Sequence, residues 1–549
     1  MKKTVHTLIL LLCLVLCISA CAKTSTTSDD TQTSETSQAT LEAALNEDAS
    51  VSDEDFELSV WADAPTSIID MDTNTQTTWY EEMTGVHVNW TLVTEEADTK
   101  FNLSLASGDY PDIYFIELTT AQAMLNVTND VFISLSELID SDSTYFKAIL
   151  AEDSVLKENI TSPDGNIYTF FRTDSGVHML SQNKMFAYQP WLDELGLEIP
   201  VDTDEFEQML IAFRDNDVNG NGDVTDEIPL VGSYDAWGGD PVAFLMNPFQ
   251  LWSNDYLIGI DEQVTFVANT DGFREGLKYI NKLYKEGLIA EETFVQDTTQ
   301  LKTLINHSTE EEMLVGVFPT AHVAQYTDLD MMPDALIDYI PISPIEGPTG
   351  LRQAETTGYS KIVLYGAITS ACTNPDVAMQ WVDGLLGGEG LVRNYYGVEG
   401  IHFKWSDTPA INGTVPSRTL TFTYLEPDND WWHNYGIGPI YDTSDLRYQE
   451  TDVYGYYGWA HYTAHEAYEP YYVGKGLPLI SWSIDEEIAV ELSELQILIE
   501  EYTEQSYTEF ILGVRDINDD SEWEAYKAEL IEMGLERYIE LNQLVNFGE

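Results

Sequence analysis

The chain has 549 residues, enough for two or three domains with full cores, and its 44% apolar content is that of a folded protein. Its 95 acidic residues against 24 basic ones give a net charge of −71. That balance excludes nucleic acid as a partner, because phosphate binding needs a basic surface, and it weighs against anionic lipid and uronic-acid polymers.

Lys2 and Lys3 form a short positive start, and Leu8 to Ala20 is almost wholly apolar. That run is too short to span a bilayer and has the length of a signal-peptide core. It ends in Ile18-Ser19-Ala20-Cys21, which resembles a bacterial lipobox. The resemblance implies cleavage of residues 1–20, a lipid on Cys21, and residence on the extracellular face of the cytoplasmic membrane of a Gram-positive cell. A plain secretory signal with an incidental cysteine is the alternative. Of four cysteines, Cys13, Cys17 and Cys21 belong to this region. Cys372 stands alone in the body, so no internal disulfide is expected. Residues 21–55 are rich in Ser, Thr, Asp and Glu and poor in aromatics, and read as a flexible tether.

The folded part opens with alternation. Phe56, Leu58 and Val60 predict a strand, and Val86, Val88, Trp90 and Leu92 a second. A helix is expected between them, around Asn74 to Met83. Another ends at Ser107-Gly108, with Pro111 just beyond, and Ile113 to Ile116 reads as a short buried strand. This β-α-β-α-β order predicts a mainly parallel sheet with helices on its faces. Ligands bind such sheets beyond the carboxyl ends of strands, where Trp61 and Glu117 are placed. Further on, Asp202 precedes Phe206, Met209, Leu210 and Phe213, one helical face. Asn374 and Pro375 read as the start of a helix whose buried stripe is Ala378, Trp381, Val382 and Leu385, closed by Gly387. Ile488, Leu492, Leu495 and Ile499 mark a long helix, and Trp523 to Leu544 another.

Several segments, in order, resemble one family. Glu82-Met83-Thr84-Gly85-Val86-His87-Val88 is similar to its E-x-T-G-I-x-V segment, and Leu105 to Asp112 to its LASGDxPD segment. Asp164 to Tyr168 resembles DGxIY, Trp191 to Leu197 resembles WLDxLGL, and Asp204-Glu205-Phe206 stands at the start of its T-x-D-E-F helix. The Thr-Asn-Pro-Asp and Gly-Val-Glu-Gly segments near 375 and 400 also fit. The family is that of the family 1 extracellular solute-binding proteins of carbohydrate ABC importers. The resemblance implies an α/β, two-lobed periplasmic-binding-protein-like fold of type II, with a hinge and a ligand cleft at the lobe interface. It implies discontinuous lobes, placed at 56–170 with 320–420 and at 171–319 with 421–549. It implies a monomer that closes over an oligosaccharide, hands it to membrane permease subunits, and does no chemistry.

Asp215 to Glu227 alternates side-chain oxygens with glycines, a pattern suited to calcium, which takes six to eight oxygens from a tightly turning loop. The ligand set is Asp217, Asn219, Asn221, a carbonyl near Asp223, Asp226 and Glu227. The register stays open: counted from Asp215 the twelfth position is Asp226, and counted from Asp217 it is Ile228. An Asn-Gly-rich turn without metal is the alternative.

Thirteen Trp and 31 Tyr residues suit sugars, whose C–H faces stack on rings while their hydroxyls meet carboxylates. Trp61, Trp237, Trp405 and Trp432 are the stacking candidates, with Glu117 and Asp240 as polar partners, and Trp381 is assigned to the core. Ser233 to Asp240 and Asp428 to Asn434 are the loops concerned, and Tyr454 to Tyr462 adds more aromatics. No nucleophile elbow, P-loop or HExxH motif is present. His461 and His465 share one helical face without an evident third ligand, which favours packing over metal. A secreted carbohydrate-active enzyme, a polymer-binding adhesin, and a binding protein for a non-sugar solute are the rival readings.

Overall fold

A cap at each end sets the first helix of the fold. Asn74 opens helix α1 (Thr75–Thr84), its amide oxygen accepting the N–H groups of Gln76 at 3.0 Å and Thr77 at 3.3 Å. Gly85 ends it at φ 69°, a conformation that costs glycine nothing. On either side run strands β1 (Phe56–Asp63) and β2 (Val86–Val93), parallel and in register from Phe56↔Val86 to Asp63↔Val93. Helix α2 (Ala97–Ser107) stops at Gly108 with φ 73°, as the Ser-Gly step predicts, and returns the chain to β3 (Ile113–Leu118), parallel to β1. The computed structural model describes residues 56–548 apart from 235, 306–312, 323–337, 357–360, 412, 422–428, 433–435, 448–452, 478–479, 481 and 483–485. The expected signal segment, tether and lipid-bearing Cys21 lie outside the described residues.

The chain then reaches β4 (Phe171–Asp174) and crosses to a second sheet. That half carries β5 (Lys184–Tyr188), helix α3 (Thr203–Asp215), β6 (Ile228–Leu230), helix α4 (Pro241–Met246), β7 (Val315–Thr320), β8 (Tyr339–Ile342) and β9 (Ala354–Thr356). It returns for β10 (Lys361–Ile368) and helix α5 (Pro375–Asp383), then adds α6 (Val453–Tyr468), β11 (Tyr472–Gly474) and the long α7 (Glu486–Leu512). The first sheet is ordered β2-β1-β3-β10-β4, and the second β8-β5-β7-β6. Strand β10 runs antiparallel to both β3 and β4, so a late segment completes the parallel unit begun at Phe56.

Each sheet has its own core. The first holds Phe115, Trp381, Trp432, Ile437 and Tyr441, and the second holds Trp191, Phe213, Phe318, Tyr339, Ala464 and Trp523. The two-lobed α/β expectation is met, but the crossings differ from those expected. Tyr339–Ile342 pairs with β5 and so belongs to lobe 2. Trp432, Ile437 and Tyr441 pack in lobe 1, with the Trp432 ring 6.0 and 5.5 Å from those of Tyr80 and Trp90. Two helix ends also differ. Asn374 precedes α5 without accepting a cap bond, since its amide turns to the Thr373 hydroxyl, and α5 stops at Asp383 before Gly387. The expected helix Trp523–Leu544 is two, Asp520–Glu532 and Leu535–Phe547, broken at Gly534 with φ 104°.

Trp432→Ala, which empties a fully buried site, is expected to cost about 3–5 kcal/mol of stability. Urea unfolding measures it; a loss under 1 kcal/mol rejects a core role for this ring.

Candidate functional site

The first crossing between the lobes runs from Asp174 to Lys184, and polar groups gather at both of its ends. On the lobe 1 side, strand register alone brings the groups together. Tyr365 of β10 pairs with Glu117 of β3, and its neighbour Val363 pairs with Arg172 of β4. The Arg172 guanidinium lies 3.4 Å from the centre of the Tyr365 ring, and its Nε donates to the Gly438 carbonyl at 2.8 Å. Asp63, the last residue of β1, completes the group: burial raises its carboxyl, and the charge of Arg172 pulls it back down. Glu117 is exposed and sits 3.9 Å from the Lys361 ammonium. An acid, a guanidinium and a phenol ring thus stand near one another on the first sheet.

On the lobe 2 side, Trp237 is 40% exposed, unusual for an indole and open to a ligand. Its Nε1 donates to Gln182 Oε1 at 3.0 Å, and its edge meets the His178 ring at 5.8 Å. The next residue explains how the loop comes so near the crossing. A Cβ at Gly238 would stand 2.3 Å from the Gln182 carbonyl oxygen and 2.4 Å from the Ala321 nitrogen, so only glycine fits. Arg447 ties the crossing down, bonding Asp174 and Asp442 at 2.5 and 2.6 Å.

The other predicted contacts scatter. Trp61 is 6% exposed and packs against Phe101 and Tyr114 at 6.1 and 5.7 Å, because β1 continues two residues past it and leaves Asp63, not Trp61, at the strand end. Trp432 has no exposed face at all, and its Nε1 is spent on the Thr77 hydroxyl. Trp405 is exposed, on the hairpin Phe403–Ser406/Ser417–Leu420, but Arg418 covers one face at 4.5 Å. Asp240 caps α4 by accepting the Val242 N–H at 2.8 Å, and its other oxygen accepts from the Tyr507 hydroxyl at 3.3 Å. Of the six ligand candidates, Trp237 and Glu117 therefore lie at the crossing with an open face. Asp63, Arg172, His178, Gln182 and Tyr365 are the residues that sequence reasoning did not find; none carries a local motif, and only strand pairing assembles them. A cavity of about 350 Å³ beside Tyr234, Phe294, Glu501 and Glu504 is lined by no residue of lobe 1.

Burial pushes the Asp240 carboxyl up to about 7. A raised carboxyl stabilises the fold fully below its unfolded value near 4, and that contribution is lost as pH rises toward 7. Asp240→Asn keeps a capping oxygen and removes the titration. Its melting temperature is expected to fall less than that of the parent between pH 5 and 8; equal slopes reject the assignment.

The acidic loop follows α3, whose last residue, Asp215, is held by Arg214 Nε at 2.7 Å. Gly220 and Gly222 turn it at φ 76° and 94°. Asn219 and Asn221 donate to the Asp226 carboxylate at 3.3 and 2.6 Å, and Glu227 Oε1 accepts the Val218 N–H at 3.0 Å. Asp217 Oδ1 and Glu227 Oε2 are buried acceptors without a hydrogen-bond donor. Two such oxygens in one loop fit a hard cation. Among the described residues no three His, Cys, Asp or Glu side chains form a metal-holding group, so amide and carbonyl oxygens are needed to fill a shell here.

No family model matches the chain. It is 28% identical over 484 residues to the fructooligosaccharide ABC transporter substrate-binding protein FusA of Streptococcus pneumoniae, covering 84% of this chain and 85% of that protein. It is 26% identical over 336 residues to the Bacillus subtilis lipoprotein LipO, covering 60% and 63%. FusA has been solved in complex with kestose, and its structure superposes with a TM-score of 0.65 at 25% identity over 89% of this chain and 98% of FusA. An EF-hand mutant of FusA, in complex with fructo-nystose, matches equally. An extracellular solute-binding protein of Bifidobacterium longum subsp. infantis superposes at 0.72 with 21% identity, over 89% and 97%. With its lobes built on crossing chain segments, the chain is similar over most of its length, in sequence and in fold, to extracellular substrate-binding proteins of ABC transporters.

Proposed function

We propose that this protein captures an oligosaccharide at the crossing between its lobes and delivers it to the permease of an ABC importer. The observation that carries this reading is Trp237, an exposed ring held rigid by Gln182 and a glycine-tight backbone at the crossing where lobe 1 presents Asp63, Glu117 and Arg172. A ring face takes a sugar's C–H face, and the carboxylates and guanidinium take its hydroxyls. Since FusA is solved with kestose and fructo-nystose, a fructooligosaccharide is the first ligand to test. The chain works as a single copy, held to the outer face of the membrane through lipid on Cys21 and raised by residues 21–55. It binds without converting its ligand.

Kestose, added to the chain from residue 22 onward, is expected to raise the melting temperature by several degrees. Trp237→Ala is expected to weaken binding about tenfold, roughly 1.4 kcal/mol, with stability unchanged. Trp61→Phe, in the core, is expected to leave affinity within twofold. No shift across a panel of neutral oligosaccharides, or release of product, sinks this reading.

The same proposal gives calcium a structural place on Asp217, Asn219, Asn221, the Asp223 carbonyl, Asp226 and Glu227. The donorless oxygens of Asp217 and Glu227 support it. At a hundredfold excess over its dissociation constant a bound ion adds about 2.7 kcal/mol. EDTA is expected to lower the melting temperature of the parent and not that of Asp217→Asn with Glu227→Gln. An unresponsive parent returns the loop to an ordinary turn.

A further inference from the structure

Behind Trp237 lies a group of three imidazoles drawn from distant parts of the chain. His178 sits on the single turn Val177–Leu180 within the crossing, His322 just past β7, and His461 on α6. Ring centres are 5.1 Å apart for His178 and His322, 5.0 Å for His178 and His461, and 4.1 Å for His322 and His461. His461 is 3% exposed, and neither of its ring nitrogens has a hydrogen-bond partner. A buried ring with two unpartnered nitrogens tolerates the neutral form and not the cation.

The surroundings reinforce this. Lys184 is fully buried at the start of β5, where its ammonium donates to the carbonyls of His178 and Ser181. The Arg447 guanidinium reaches the same spot: a Cβ at Gly176 would lie 2.7 Å from His178 Nδ1 and 2.9 Å from an Arg447 nitrogen. The nearby acids, Asp174 and Asp442, are both taken by Arg447. One turn along α6, His465 places Nδ1 3.2 Å from the Tyr472 hydroxyl, with Glu466 and Glu469 on its side. A proton arriving on the cluster therefore meets two cations and two occupied carboxylates. Burial and these charges hold all three imidazoles below their ordinary value, His322 at about 4. The cluster is no metal centre: among the described residues no trio of such side chains converges on one point.

We propose that His178, His322 and His461 form a proton-operated bearing for Trp237, so that the protein grips its oligosaccharide at neutral pH and releases it in acid. This rests on the reading of Trp237 as a ligand platform. The packed arrangement requires three neutral rings. An arrangement that admits water to the cluster restores their ordinary affinity for protons, near 6.5. Proton binding then favours the loosened state, with the edge contact between His178 and Trp237 given up. The sign follows: the cluster's contribution is complete above pH 6.5 and is lost as pH falls below it. The ligand is a neutral sugar, so its own charge is constant throughout.

Two measurements test this, and they separate it from the assignment of the ligand. The first needs no ligand. Trp237, labelled as 5-fluorotryptophan and assigned through its absence in Trp237→Phe, is followed by fluorine NMR from pH 7.5 to 4.8. Its resonance is expected to shift or broaden with acid in the parent, and to stay constant in His461→Phe and in His322→Gln; circular dichroism checks that both variants fold. A resonance indifferent to pH in the parent, or one that titrates alike in parent and variants, overturns the proposal. The second is calorimetric titration with kestose. Affinity is expected to fall roughly tenfold between pH 7 and 5 in the parent and less than threefold in either variant. Equal loss in parent and variants overturns the bearing. Absence of kestose binding at pH 7 counts against the proposed ligand class, and the fluorine measurement then decides the bearing by itself.

Discussion

The ion pairs of Arg447 with Asp174 and Asp442 hold the point on which the architecture turns. Asp442 is buried, its backbone N–H donates to the Thr173 hydroxyl at 2.9 Å, and its carboxylate accepts the Ser175 N–H at 2.9 Å. Thr173 Oγ1 is also 3.1 Å from the Asp442 carbonyl. These bonds tie the last strand of lobe 1 to the segment carrying Arg447 just where the chain leaves for lobe 2. Burial lifts the Asp442 carboxyl while Arg447 pulls it down, so the pair is held by geometry as much as by charge. Removing one member of such a pair strands the other, so the contact holds only as a whole.

Everything that gives the crossing a function is anchored to this latch. Arg172 stands two residues before Asp174, and His178 and Gln182 follow it. The first arranges the polar edge of lobe 1, and the other two carry Trp237. A short stretch of backbone thus places polar and aromatic groups of both lobes. A binding protein that closes over its ligand needs this economy, because closure can only be as selective as the relative position of its two walls. The aromatic residues divide accordingly. Trp381 and Trp432 stack inside lobe 1, with Phe115 at 6.1 Å from Trp381, and give it a rigid body. Trp237 stays outside, where a rigid ring can meet a sugar.

The extreme acidity sits on this frame without shaping it. Among the described residues the ion pairs are mostly exposed ones, such as Lys278 with Glu275 and Lys527 with Glu524, which contribute little. Among the described residues the buried cations are Lys184, at the crossing, and Arg418, on the hairpin Phe403–Ser406/Ser417–Leu420, while Arg447 is partly exposed.

The sequence by itself determined the local elements. Alternation at Phe56–Val60 and Val86–Leu92, the Asn74 and Asp202 caps and the Ser107-Gly108 stop are one-dimensional signals, because strands and helix ends are set by residues within a few positions of each other. Ordered short segments sufficed for the resemblance to solute-binding proteins, and the glycine-spaced acids for the expectation of a cation loop. What the tertiary structure alone decided depends on pairs far apart in the chain. Arg172 meets Tyr365 only because β10 inserts between β3 and β4, and three histidines meet only where β7, α6 and the crossing converge. That Asp215 ends the helix ahead of the acidic loop is also read only from the structure. Whether a tryptophan faces water or core is likewise invisible in its neighbours: Trp237 and Trp432 both have Gly and Asp nearby, and their exposures of 40% and 0% come from what packs over them.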